Sequence, residues 1–263
     1  MAEYYIAPKS SFDATADAIR EKTGSQTTIE WTEDGFADAI AAIPTGGGGG
    51  WSVDDIASGG ITGSITVETS GANVVACAFA YNTGITEVIM PDATQLKGGV
   101  FAGCTGLTRL WIPSVSLIDQ GSIRNFQDIT CPLVLLGIPE LSSRRIEGWK
   151  GTVLDIGSQC DNLAGTSLYG VSNCNVIILR KSSIVTCANS TFNSSKFASG
   201  GAGGTIYIPK SLYDHLGDNT SSDYKAATNW STVNEYGTIT WAQIEGSQYE
   251  NYYADGTPIS ISE

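Results

Sequence analysis

Apolar and polar residues alternate in short runs over most of this chain, and Gly, Pro, Asn and Thr punctuate the runs. Ile85-Thr86-Glu87-Val88-Ile89 and Leu107-Thr108-Arg109-Leu110-Trp111-Ile112 are two of them. A period of two predicts half-buried strands. Leu133 to Pro139, Thr152 to Ile156, Val176 to Leu179 and Thr205 to Pro209 read as further strands. The first 44 residues follow a different period. Phe12, Ala16 and Ile19 share one helical face, and Phe36, Ile40 and Ile43 share another, with Gly24 and Pro44 as stops. Residues 1–44 therefore read as a small helical hairpin whose apolar stripes are too narrow to stand alone, a docking leader. Thr45 and the run Gly46 to Gly50 follow as a flexible linker over 45–50.

The strand runs belong to a repeat. Phe79-Ala80-Tyr81-Asn82-Thr83-Gly84-Ile85-Thr86-Glu87-Val88-Ile89-Met90-Pro91 aligns with Phe101-Ala102-Gly103-Cys104-Thr105-Gly106-Leu107-Thr108-Arg109-Leu110-Trp111-Ile112-Pro113, an offset of 22 residues. The run ending at Pro139 continues the series at a step of 26, and later copies lose the proline or gain insertions. A repeat of about 20–29 residues, each with a short strand, predicts a leucine-rich-repeat type of solenoid. The predicted fold is thus mainly β: a short irregular leucine-rich-repeat solenoid over 51–215, with the helical hairpin before it. A C-terminal cap and tail fill 216–263, where Ser222 and Asp223 can start a helix over 224–228 and Trp230 can plug the last coil. The Tyr249, Tyr252 and Tyr253 cluster suits packing back on the body or contact with a sugar or a partner.

With Leu110 and Ile112 pointing inward, Trp111 points outward, and its counterparts are Ile89, Gly137, Ile178 and Tyr207. Ile89, Trp111, Ile178 and Tyr207 are the candidate partner-binding residues. Such an apolar row is covered either by the chain's own loops or leader, or by another protomer or a receptor.

Charge narrows the partners. Against 27 acidic residues stand 14 Lys and Arg, a net charge of −13, and no basic run occurs, which opposes nucleic-acid binding. No stretch is apolar enough to predict membrane insertion, and the N-terminus carries no basic and apolar signal-peptide pattern. Synthesis in a cytoplasm is the expectation. Glycine is abundant (31 of 263) and charged residues are only 16%, a turn-rich β composition.

Candidate chemistry is sparse. The one histidine, His215, has no second histidine to work with, and no nucleophile elbow, phosphate loop, zincin or dinucleotide motif is present. Cysteines fall at 77, 104, 131, 160, 174 and 187, without the close pairs that zinc sites use. They read as free thiols packed inside successive coils. No catalytic residue, metal site or cofactor is expected. Asp54, Asp55 and Asp119 are the acids weighed for glycan hydrolysis, which needs two carboxylates at a set distance.

The block Phe-Ala-Gly-Cys-Thr-Gly-Leu-Thr-Arg-Leu-Trp-Ile-Pro at 101–113 resembles the repeat of BspA-like, or treponemal-type, leucine-rich-repeat proteins, over about residues 70–210. Many of these are secreted bacterial surface proteins that bind host proteins or cells. Ala-Asp-Ala-Ile-Arg-Glu-Lys-Thr-Gly at 16–24 and Gly-Phe-Ala-Asp-Ala-Ile-Ala-Ala-Ile at 35–43 are similar to the openings of phage or prophage tail proteins. The closing segments 206–212 and 224–231 carry the same similarity. Together the resemblances imply a non-enzymatic virion tail appendage that recognises a host surface. Its leader would contact other tail proteins, its solenoid a host protein or glycan, and it could form a homo-oligomer. The alternatives are a bacterial cell-surface adhesin of the same repeat family and a polysaccharide depolymerase.

Overall fold

The computed structural model describes residues 61–67, 73–74, 77–119, 124–171, 173–192, 204–231 and 238–252. The chain divides into two units, 1–61 and 62–263. The fold below is that of the second, and the leader and linker read over 1–50 lie outside the described residues.

Strands form in the runs expected from sequence, but the first six described coils each carry two strands rather than one. The longer strands are β1 (Gly63–Thr66), β3 (Ile85–Ile89), β5 (Arg109–Trp111), β7 (Leu133–Leu135), β9 (Val153–Ile156), β11 (Val176–Leu179), β13 (Gly204–Ile208) and β14 (Ile239–Gln243). Between them lie two-residue strands: β2 (Asn73–Val74), β4 (Gln95–Leu96), β6 (Leu117–Ile118), β8 (Glu140–Leu141), β10 (Asn162–Leu163) and β12 (Thr186–Cys187). One short helix, α1 (Lys210–Tyr213), follows β13. All described pairings are parallel. The result is a parallel β-solenoid, mainly β with almost no helix.

Its sheets are β1-β3-β5 and β7-β9-β11-β13-β14 on the long-strand side, and β2-β4-β6 and β8-β10-β12 on the other. Both sides therefore break between the third and fourth described coils. On the short-strand side the reason is chemical. Ser116 N donates to Thr94 O, and Asp161 N donates to Pro139 O. Pro139 occupies the matching position of the fourth coil, and without an N–H it cannot donate back to the third. This corrects the strand expected over 133–139. The strand ends at Leu135, and Pro139 sits before β8 instead of closing β7. The array also runs past 215, since β14 pairs with β13 from Gly204↔Ile239 to Ile208↔Gln243. The helix expected over 224–228 is a set of turns.

Register puts Leu133, Leu154 and Ile177 on one interior line and Leu135, Ile156 and Leu179 on the next, all nearly or fully buried. The aligned phenylalanines stack as successive rungs, with ring centroids 5.5 Å apart for Phe79–Phe101 and 6.2 Å for Phe101–Phe126. The corner beyond them is left-handed in coil after coil, with φ from 62° to 84° at Tyr81, Gly103, Asp128, Gly148 and Gly170. Glycine holds three of these five places because an L side chain resists that conformation.

Coils also approach backbone to backbone. Gly157 N donates to Leu135 O at 3.0 Å, and a Cβ on Gly157 would overlap the Leu136 backbone. Gly157→Ala is therefore expected to force two coils apart and to cost about 1–3 kcal/mol in urea unfolding. An unchanged midpoint would mean that the coil contact gives way freely.

Candidate binding surface

The four residues proposed from sequence do not form one exposed row. Ile89 and Trp111 are half-buried, opposite each other on β3 and β5. Ile178 does point away from the interior, yet it is fully buried, which corrects its reading as an accessible anchor. Tyr207, its register partner on β13, is half-buried. Gly137 lies outside any strand, against the Pro113–Val115 backbone.

The chain itself covers this face. Ile244, Tyr249 and Tyr252 pack over Val134, Val153 and Ile178, with Trp111, Leu136, Val176 and Tyr207 at the margin. Tyr249 sits edge-on between Tyr207, at 4.7 Å, and Tyr252, at 5.3 Å. Tyr249 and Tyr252 thus pack back on the body, while Tyr253 lies outside the described residues. The large apolar side chains that do stand exposed among the described residues, Tyr81 at 68% and Leu117 at 46%, lie elsewhere.

A charge sits inside this apolar face, and sequence reading passed over it. Asp155 occupies the outward position of β9, beside Ile178, with its side chain fully buried. Arg180, one residue beyond β11, grips both of its oxygens at 2.8 and 2.7 Å. Two of the three remaining guanidinium hydrogens go to the Tyr249 and Glu250 carbonyls at 2.9 and 3.2 Å. Burial pushes the Asp155 carboxyl above its ordinary pKa, while Arg180 pulls it down. The pair pins residues 249–250 over the apolar face, a bidentate task suited to arginine.

Among the described residues no strand pairs with the outer edge of β14. Trp241 on β14 continues the interior line of Leu133, Leu154, Ile177 and Ile206, but with no described strand beyond β14 it is only half-buried. Beside it lies a cleft of about 540 Å³ lined by Tyr213, Leu216, Lys225, Trp230, Ser231, Ile239 and Trp241, with a predominantly polar wall. Its aromatic floor is fixed from behind. Tyr224 stacks on Trp241 at 5.2 Å, and Trp230 meets Tyr224 and Trp241 edge-on at 5.2 and 6.0 Å.

The same residues close the edge of β12. Val185 N donates to the Tyr224 hydroxyl at 2.9 Å, Trp230 Nε1 donates to Val185 O at 2.6 Å, and Asn229 Nδ2 donates to Cys187 O at 2.7 Å. Side chains of the cap thus replace the backbone ladder that another coil would supply. Trp230 is the plug expected from sequence, although it closes the short-strand side while the long-strand side runs on.

Chemically reactive groups are few here. His215 Nδ1 lies 2.7 Å from Asp218 Oδ2 on the exposed surface. All six cysteines are free thiols. Burial raises Cys104 to about 11 and Cys131, Cys174 and Cys187 to about 12, and it raises Cys160 as well. Cys77 is exposed. Iodoacetamide at neutral pH is therefore expected to label one thiol per folded chain, at Cys77, and the other five only after unfolding. Rapid native labelling of a second cysteine would contradict the described packing.

Among the described residues no group of three or more His, Cys, Asp or Glu is placed to hold a metal ion, and no helix is long and apolar enough to cross a membrane. No protein-family model matches this chain, and no curated protein matches it.

Proposed function

We propose that this chain is a non-enzymatic recognition component of a phage or prophage tail, with the C-terminal end of its solenoid as the contact surface. The observation that carries the recognition half is the open aromatic cleft around Trp241, held rigidly by Tyr224 and Trp230 at the end of the array. Binding sites are concave, partly apolar and largely pre-formed, and this cleft has those properties. The tail half rests on the similarity of 16–24 and 35–43 to tail-protein openings, with the leader contacting other tail proteins. The repeat of 79–91 at 101–113 supports a BspA-like leucine-rich-repeat origin for the coils. Recognition of a host protein or glycan, a virion location and a possible homo-oligomer belong to the same proposal, as does the absence of nucleic-acid and membrane partners.

A binding role is favoured over a depolymerase by the wall of the cleft, whose described lining residues include no carboxylate. Asp119 is engaged elsewhere, by Lys97 at 3.0 Å and Gln95 at 2.9 Å, while Asp54 and Asp55 lie outside the described residues. Immunogold electron microscopy with antibody to residues 51–263, before and after prophage induction, tests the location. Gold on the tail tips of released particles is the expected result. Gold on uninduced cell walls with bare particles would replace the tail reading with that of an adhesin.

A further inference from the structure

We infer that the cleft at the C-terminal end of the solenoid binds a sugar unit carrying a carboxylate, stacked on Trp241 and anchored by Lys225. This deepens the recognition reading above and rests on it. The argument starts from what sits at the end of the core. Leu133, Leu154, Ile177 and Ile206 fill the interior line with aliphatic side chains that are fully or nearly fully buried. At the last strand the line ends in a half-buried indole, with Trp230 edge-on to it and Tyr213 lining the same cleft. Flat aromatic faces suit the C–H faces of a pyranose ring, because both are apolar, rigid and edged by polar groups.

The wall decides between a sugar and an apolar ligand. Ser231 and Lys225 line it beside the aromatic and aliphatic residues, and its exposed surface is predominantly polar. A lipid chain or an apolar peptide side chain would strip water from those groups without replacing their hydrogen bonds. A sugar's hydroxyls replace them.

Charge then selects among sugars. None of the described residues that line the cleft is acidic, in a chain whose net charge is −13. Three acids described nearby already have partners. Asp223 accepts the backbone N–H groups of Asn219 and Lys225 at 3.1 and 2.8 Å, Asp214 pairs with Lys210 at 2.7 Å, and Asp218 pairs with His215. Lys225 is exposed at the cleft and enters no ion pair among the described residues. A lysine that pairs with no described acid, in a cleft it shares with aromatic side chains, complements a single carboxylate. The surrounding negative charge opposes a polyanion such as a nucleotide or nucleic acid.

The test is a titration of the full chain, followed by calorimetry and tryptophan fluorescence. The probes are hexuronate- and sialate-containing oligosaccharides, each beside a neutral counterpart of equal length. At least one acidic member is expected to bind and to perturb tryptophan emission, with its neutral counterpart weaker by about tenfold or more. Lys225→Glu, at an exposed position, is expected to abolish that preference with no change in unfolding midpoint. Trp241→Phe, which keeps a ring against Tyr224, is expected to weaken both members of the pair. Absence of binding by every acidic member, equal binding of the neutral partners, or indifference to Lys225→Glu would each overturn the inference. Binding of the same preparation to host cells separates the two levels. Cell binding that Lys225→Glu and free acidic sugar leave untouched overturns the sugar site and leaves recognition standing. Absence of any cell binding overturns recognition itself.

Discussion

Arg180→Met is expected to lower the stability of the solenoid by about 3–5 kcal/mol, because it leaves a buried carboxylate with no partner. The Asp155 side chain is 0% exposed, and Arg180 supplies both hydrogen bonds that reach its oxygens. The loss carries a pH signature. Burial already holds the Asp155 carboxyl above its ordinary range, and removing the guanidinium deletes the opposing pull. A carboxyl whose folded pKa lies above its unfolded value favours the fold fully below the unfolded value, about 3.9. That contribution is lost as pH rises through the folded pKa. The deficit of Arg180→Met should therefore be smaller near pH 5 and grow toward about pH 8, as read by urea unfolding at each pH. Adding Asp155→Asn to the variant should recover much of the loss. A deficit independent of pH and not rescued by Asn would place the role of Arg180 at the Tyr249 and Glu250 carbonyls instead. In either case residues 244–252 lose their clamp, and limited proteolysis should cut there before any strand.

The clamp illustrates where sequence reading works on this chain and where it stops. Ile85–Ile89 and Gly204–Ile208 are strands, as alternation predicts, because five residues suffice to display a period of two. Gln95–Leu96 and Asn162–Leu163 have two residues each and no period to display. Their common signal is positional. Leu96, Ile118, Leu141, Leu163 and Cys187 recur at steps of 22 to 24 and are all buried. Pro139 was visible but assigned to the wrong strand end, since a proline after an apolar run looks the same whether it closes one strand or precedes the next. The cover over Ile178 depends on contacts between residues almost seventy apart, such as Arg180 with Tyr249, which no local pattern carries. Asp155 looked like one acid among many, and only its register beside Ile178 makes it central. The cleft was foreshadowed solely by Trp230. Trp241, its principal ring, sits in a five-residue strand, Ile239–Gln243, that falls within the segment read as a tail.

Trp230→Ala is expected to cost about 3–5 kcal/mol and to unravel the array from its C-terminal end. Trp230 is 1% exposed and meets Phe192, Tyr224 and Trp241 at 5.8, 5.2 and 6.0 Å. Its removal opens a void among three aromatic rings and leaves the buried Val185 carbonyl without its donor. Among the described residues the edge of β12 then keeps the Tyr224, Thr228 and Asn229 contacts, and all three belong to the same turn-rich segment that the indole holds down. In a stack whose coils contact only their neighbours, such damage stays local before it spreads. Hydrogen exchange should show amides of β12, β13 and β14 losing protection first, while β3 and β5 retain theirs, because the interrupted pairing between β5 and β7 separates the two ends. Trp230→Phe isolates the hydrogen bond. It keeps most of the packing, strands the same carbonyl, and should cost about 1–3 kcal/mol. Uniform loss of protection from β1 to β14 in Trp230→Ala would show that the break between β5 and β7 does not interrupt cooperativity, and that the whole array unfolds as one unit.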